Sequence, residues 1–171
     1  MHGVHVVGGS NPLAPTIYFC IHFTLQYLLP FFTLISMKSS SNSNSITYFG
    51  LSIPFLAHLG VVPEYAEGGK SRISLVIKPE FENSFQIAHG GVVMTLLDFA
   101  MGAAARSTNN QPLGAMTIDM SVSFLRPSIG KIAVEGTVLK SGKTIHYCEA
   151  VVLNEAGELT AKSSGTFMLR R

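Results

Sequence analysis

The chain has 171 residues, with 12 Lys and Arg against 10 Asp and Glu and a net charge of +2; that is long enough for one domain with a real core and short for two. Charged residues make up 13% of it, about half the usual globular share, and no basic block interleaved with aromatics occurs, which argues against nucleic acid as a partner. Two cysteines, Cys20 and Cys148, make no disulfide framework and read as small buried hydrophobes suited to a reducing compartment.

Met1 to Met37 contains no Asp, Glu, Lys or Arg. Within it, Thr16 to Met37 (TIYFCIHFTLQYLLPFFTLISM) is about long enough to cross a bilayer as a helix. His22, Gln26 and Pro30 dilute that span, Lys38 is its only flanking positive charge, and no basic region precedes it as a secretory signal would require. The favoured expectation is a physiological start at Met37, with residues 1–36 an apolar leader, and a cytoplasmic protein. The alternative is a membrane anchor through 16–37, and membrane contact is expected only in that case. Residues 37–52 then form a flexible linker opening with KSSSNSNS, and residues 53–171 the folded domain.

Ile53 to Leu59 reads as a short helix, with Pro54 suited to its first turn and Gly60 to its stop. Val61 to Tyr65 and Arg72 to Ile77 are strand-like and separated by Glu67-Gly68-Gly69-Lys70, a hairpin signal. Pro79 to Ala88 is a loop. Gly90 to Arg106 is the main helix, apolar almost all round, which predicts burial on most faces; Asn109-Asn110-Gln111-Pro112 ends it. Thr117 to Leu125 then alternates, Ile118, Met120, Val122 and Phe124 against Asp119, Ser121 and Ser123. Lys131 to Leu139, Thr144 to Leu153 and Glu158 to Leu169 follow as strands, split by turns at Ser141-Gly142 and Asn154 to Gly157. One long apolar helix against an antiparallel meander is an α+β arrangement, with the sheet curled around the helix.

Asp98 is the only ionisable group between His89 and Arg106. An isolated buried carboxylate costs several kcal/mol or shifts its pKa, so it needs a partner or a purpose. Arg106 lies about 12 Å further along the helix axis, too far for an easy pair. Gly90 and Gly91 open the helix and leave backbone N–H groups unobstructed at its positive end, an arrangement that can stabilise an oxyanion. Gly91 and Asp98 share a helical face but stand ~10 Å apart. A base and an oxyanion donor must both reach one carbonyl. Two copies of the helix, across a dimer interface, are therefore expected to supply them.

Other constellations fail. Gly136 to Thr144 has five residues between its glycines where a phosphate-binding loop needs four, and no helix follows. The six histidines show no metal-ligand spacing, so no metal is expected. No G-x-S-x-G elbow occurs. His89 alone reads as a structural histidine donating to a nearby backbone carbonyl.

The segment Asn83 to Gly91 (NSFQIAHGG), continuing VVMTLLDFAMG, resembles the hot-dog-fold acyl-CoA thioesterases of the phenylacetate-degradation type. They carry an Asn, a loop ending in His-Gly-Gly, and a T-L-x-D helix. The similarity runs on through Thr117 to Met120, Phe124-Leu125-Arg126-Pro127 and Glu158 to Phe167. It implies a hot-dog fold, hydrolysis of acyl-CoA without metal or cofactor, and a homodimer or dimer of dimers with active sites at the subunit interface. It implies Asp98 as the carboxylate that attacks the thioester or activates water, and Gly90 as oxyanion donor. Asn83 would orient the carbonyl or water, and Thr117 would position water. His89 and Gly91 fall among the substrate-binding groups, and Arg126 and Lys143 read either as CoA phosphate contacts or as solvated strand-end cations. One residue departs from the pattern. Gln86 stands where the family's loop usually has glycine, which puts the aim of Asn83 in question. Two other readings compete: a non-catalytic acyl-CoA-binding module, which would have little use for Asp98, and an acyl-thioester hydratase or dehydratase, which wants a His–carboxylate pair that His89 and Asp98 do not obviously make.

Overall fold

The computed structural model describes residues 46–108 and 114–170. The leader expected over 1–36, the span 16–37, Cys20 and the helix stop at 109–112 lie outside the described residues. The described part already begins within the expected linker, and there Tyr48 is fully buried in the core. Its ring meets Phe99 edge-on at 5.9 Å, and its hydroxyl donates to the Val61 carbonyl at 3.2 Å.

Helix α1 (Pro54–Leu59) starts on its proline and stops at Gly60, whose φ of 77° lets its N–H reach back to the carbonyls of Leu56 and Ala57. It buries Leu56 and Leu59. Strands β1 (Val62–Glu67) and β2 (Lys70–Val76) form the expected antiparallel hairpin around Gly68-Gly69. A 3₁₀ turn (Pro79–Phe81) leads into the loop before helix α2 (Gly90–Arg106), and β3 (Gly114–Phe124), β4 (Lys131–Ser141), β5 (Ile145–Leu153) and β6 (Leu159–Arg170) complete the chain. The sheet is six-stranded, open and antiparallel, in the order β1-β2-β4-β5-β6-β3, and α2 lies against it.

That order corrects the expected meander. β3 pairs with β6 at the sheet's edge, and β4 pairs with β2. The connector after β3 runs across the fold, its Leu125 and Arg126 N–H groups donating to the Thr160 carbonyl and its Ser128 and Gly130 carbonyls accepting from Ala88 and Ile77. Alternation along a strand reports which face is apolar and carries no information on which strand lies alongside.

The helix meets the sheet closely because small residues line the contact. Ala100, Ala103, Ala104 and Ala105 are all buried. Ser71 on β2 donates to the Ala100 carbonyl at 2.7 Å. A Cβ at Gly136 on β4 would lie 2.7 Å from that serine oxygen, so only glycine admits the helix backbone there. Cys148 is fully buried, as expected, and burial pushes its thiol up to about 11, away from reactivity. Among the described residues no helix is long and apolar enough to cross a membrane.

One expectation for exposure holds and one needs correction. α2 is buried on most faces, as expected: Val93, Leu96, Leu97, Ala100 and Met101 face the core, while Gly91 and Met94 are exposed and Thr95 and Asp98 half-buried along the opposite stripe. The alternation of β3, however, breaks. The pairing with β6 slips between Thr117 and Asp119, leaving Ile118 57% exposed, while Met120 and Val122 pack on the core and Phe124, with their parity, is 55% exposed at the end of the strand. Such a bulge inserts one residue and reverses the parity of the strand beyond it.

Candidate active site

Parity decides where Thr117 points. In an unbroken strand Thr117 would share the face of Asp119, away from Met120 and Val122. The bulge turns it onto the helix side, opposite the buried Phe167. There its hydroxyl donates to Asp98 Oδ1 at 2.6 Å. Asp98 is thus neither isolated nor fully buried, in contrast to the expected lone carboxylate, and it makes no ion pair with Arg106.

At the N-terminal end of α2, His89 is the N-cap. Its Nδ1 accepts from the Gly91 N–H at 3.0 Å, and its own N–H donates to the Phe81 carbonyl at 2.8 Å. A backbone N–H can only donate, so Nδ1 carries no proton. At Nδ1 the ring accepts from a backbone N–H, where donation to a backbone carbonyl is expected from sequence. Gly91 therefore has its N–H engaged, whereas the Gly90 N–H has no acceptor among the described residues. One free donor remains at the helix start.

The loop before His89 folds around Asn83, whose Oδ1 accepts from the Phe85 N–H at 2.9 Å. Its backbone N–H donates to Ile87, and its carbonyl accepts from Gln86. Gln86 takes φ 58°, the left-handed conformation that glycine adopts readily. The departure at Gln86 therefore leaves the loop in a glycine-like shape at a local cost of about 1 kcal/mol or more. Gln86→Gly should relieve that strain but loosen the unfolded chain by about 0.4–1 kcal/mol. We expect its melting temperature to equal or slightly exceed wild type, with Gln86→Val falling below it; the reverse order in calorimetry would contradict this.

Asn83, Ile87, Gly90, Val93, Phe124 and Arg126 line a cavity of about 360 Å³ at this end of the helix. A Cβ on Gly90 would lie 3.4 Å from the Phe124 ring, so the free N–H opens beside an aromatic wall. Arg126 is tied down, its Nη1 donating to the Leu159 carbonyl at 2.9 Å. Phe124 keeps the face of Met120 and Val122, as its alternation predicts; the resemblance through Phe124-Leu125-Arg126-Pro127 is the one signal in the sequence for its place in this cavity. Asp98 and Thr117 do not line this cavity, and Asp98 lies about 12 Å along the helix from Gly90. Lys143 is exposed in the turn between β4 and β5 and does not line it either. Among the described residues no three His, Cys, Asp or Glu converge as metal ligands would.

The thioesterase superfamily model matches residues 85–161, from the glycine-like loop through the helix to the start of β6. A Halobacterium salinarum protein provisionally named an esterase is 34% identical over 112 residues, 63% of this chain and 74% of that protein. The chain belongs to the thioesterase superfamily. Human acyl-coenzyme A thioesterase 13 is 30% identical to this superfamily member over 104 residues, 59% of this chain and 74% of the relative. Among solved structures, the Escherichia coli PaaI protein of the phenylacetic acid degradation operon superposes with a TM-score of 0.65 at 21% identity, covering 70% of this chain and 86% of that one. A thioesterase family protein from Silicibacter pomeroyi gives 0.65 at 26% identity, covering 68% and 89%. The protein is thus a hot-dog thioesterase of the PaaI type. Thioester hydrolysis is the chemistry of its family, and the single long helix against a curled antiparallel sheet is its fold.

Proposed function

We propose that the protein hydrolyses acyl-CoA thioesters to the free acid and CoA, at sites shared between two copies of the chain, with Gly90 of one copy facing Asp98 of the other. The observation that carries this reading is the division of the machinery within one chain. Gly90 opens into the cavity, while Asp98, held by Thr117, lies more than two helical turns away and outside it. Each chain offers half a site at each of two places, and a two-fold arrangement brings unlike halves together. Two further features support a second copy. β3 is an edge strand, and Phe85, Met94, Ile118 and Phe124 are large apolar residues left 80%, 42%, 57% and 55% exposed, which a lone domain would ordinarily cover.

In this reading the Gly90 N–H donates to the thioester carbonyl oxygen and strengthens that bond as the oxygen becomes negative. Asp98 takes a proton from water as the water oxygen adds to the carbonyl carbon. The C–S bond then breaks, and the CoA sulfur leaves with the returned proton. If Asp98 attacks directly, an acyl-aspartyl anhydride forms first and water then cleaves it, giving the same products. Thr117 fixes the carboxylate and can hold the attacking water. Asn83 closes the loop that carries the donor end. His89 caps the helix through Gly91, which leaves Gly90 as the donor. Arg126, at the cavity's rim, and Lys143 are assigned to the CoA phosphates. The kinship with acyl-coenzyme A thioesterase 13 supports CoA as the thiol. The direct test is thiol release from a panel of acyl-CoAs. We expect turnover with at least one of short, medium and aromatic acyl groups; binding of every member with no thiol released would favour a non-catalytic module.

A further inference from the structure

Arg106, at the far end of α2 from the cavity beside Gly90, has a guanidinium without a counter-charge among the described residues. Its Nε is buried and has no hydrogen-bond partner, and its Nη2 makes one long contact to the Phe49 carbonyl at 3.5 Å. No carboxylate lies within salt-bridge distance among the described residues. Residues 1–45 and 109–113 contain no Asp or Glu that could supply one. Burial holds the guanidinium below its usual range. The carbonyl end of the helix offers only partial negative charge, and a cation partly withdrawn from water without an ionic partner is costly.

Arg106 borders a cavity of about 140 Å³, whose other walls are Phe49, Ala66, Ala103 and Ser107. Three of those four are apolar. The hydroxyl of Ser107 is already engaged, donating to Ala104 at 2.8 Å and accepting from the Gly69 N–H at 2.9 Å. The guanidinium is therefore the cavity's free polar group. The space equals that of about four or five water molecules, enough for a tetrahedral or planar oxyanion and too small for a nucleotide. Gly90 stands sixteen residues away along the helix, about 24 Å, so this position belongs to neither half of the proposed active site.

We propose that Arg106 and this cavity bind a small oxyanion of the phosphate type, which neutralises the guanidinium and ties the N-terminal turn at Phe49 to the end of α2. A planar guanidinium suits such a ligand because it presents paired donors to paired oxygens.

The test uses the full chain, dialysed at equilibrium against radiolabelled inorganic phosphate at constant ionic strength, with CoA present to fill any site for its own phosphates. Wild type should retain about one phosphate per chain, and Arg106→Met should bind about tenfold or more weakly. Lys131→Met, changed at an exposed position at the start of β4, should bind as wild type does. No phosphate retained by wild type, or equal retention by folded Arg106→Met, would overturn the proposal. If Arg106→Met does not fold, Arg106→Lys serves in its place. It keeps the charge but loses the fork, so its binding should weaken, and unchanged binding would count against the site. A changed sedimentation coefficient in the Arg106 variant, without any change in phosphate binding, would point instead to a carboxylate of a second copy and would also overturn it.

Discussion

Replacing Asp98 by asparagine is expected to lower turnover of acyl-CoA by about 10²–10⁴-fold if the carboxylate acts as a base, and further if it is the nucleophile. The geometry explains why this substitution is a clean one. The Thr117 hydroxyl donates to Asp98 Oδ1, and the asparagine carbonyl oxygen can accept the same bond, so the contact between α2 and β3 survives. What disappears is the capacity to take a proton or attack a carbonyl carbon. The loss should therefore fall on kcat with KM little changed, and the melting temperature should stay within a few degrees of wild type. Asp98→Ala would be less informative, since it also strands the threonine hydroxyl. Steady-state kinetics beside calorimetry check both halves of the expectation. A variant with wild-type kcat would end the assignment of Asp98, whatever its effect on binding.

The second large effect concerns Gly90 and the division of the site between copies. Gly90→Pro should remove the free N–H and little else. Gly90 is the first residue of α2, where proline is tolerated. His89 before it is already extended, at φ −60° and ψ 135°, as a residue preceding proline prefers. Loss of one oxyanion donor should cost about 10²–10³-fold in kcat. Mixing the two crippled chains then asks a question that neither answers alone. If Asp98→Asn and Gly90→Pro chains are unfolded together and refolded, half of the random dimers are mixed. Each mixed dimer has one site with both Gly90 and Asp98 intact, so activity should return to about a quarter of wild type. Activity that stays at the level of the separate variants would place both groups in one chain's site and refute the shared arrangement. Recovery at any substantial level would support it, because neither variant alone carries a complete pair.

Much of this was legible in the sequence, and the reasons are local. Proline at the first turn and glycine at the stop bounded α1. The Gly68-Gly69 pair set the first hairpin, and seventeen residues of unbroken helical pattern were recovered as α2 from Gly90 to Arg106. Each of these depends on backbone preferences within a few residues. The separation of Gly90 from Asp98 was also readable, because helical rise is fixed by the backbone hydrogen bonds and not by what surrounds the helix.

Only the tertiary structure could decide the rest. The strand order, with β3 beside β6 and not β4, depends on how the connector after β3 crosses the fold. The contact of Thr117 with Asp98 depends on one extra residue at Ile118, because an unbroken two-residue period would have turned the hydroxyl away. The donor left free at the helix start depends on the His89 ring having taken the N–H of Gly91. In the first two cases the determinant is a hydrogen bond or a register between residues distant in sequence; in the third it is the orientation of one ring, two residues from the N–H it accepts from. The sequence therefore determined which groups exist and how far apart one helix holds them, whereas tertiary pairing decided which of them touch.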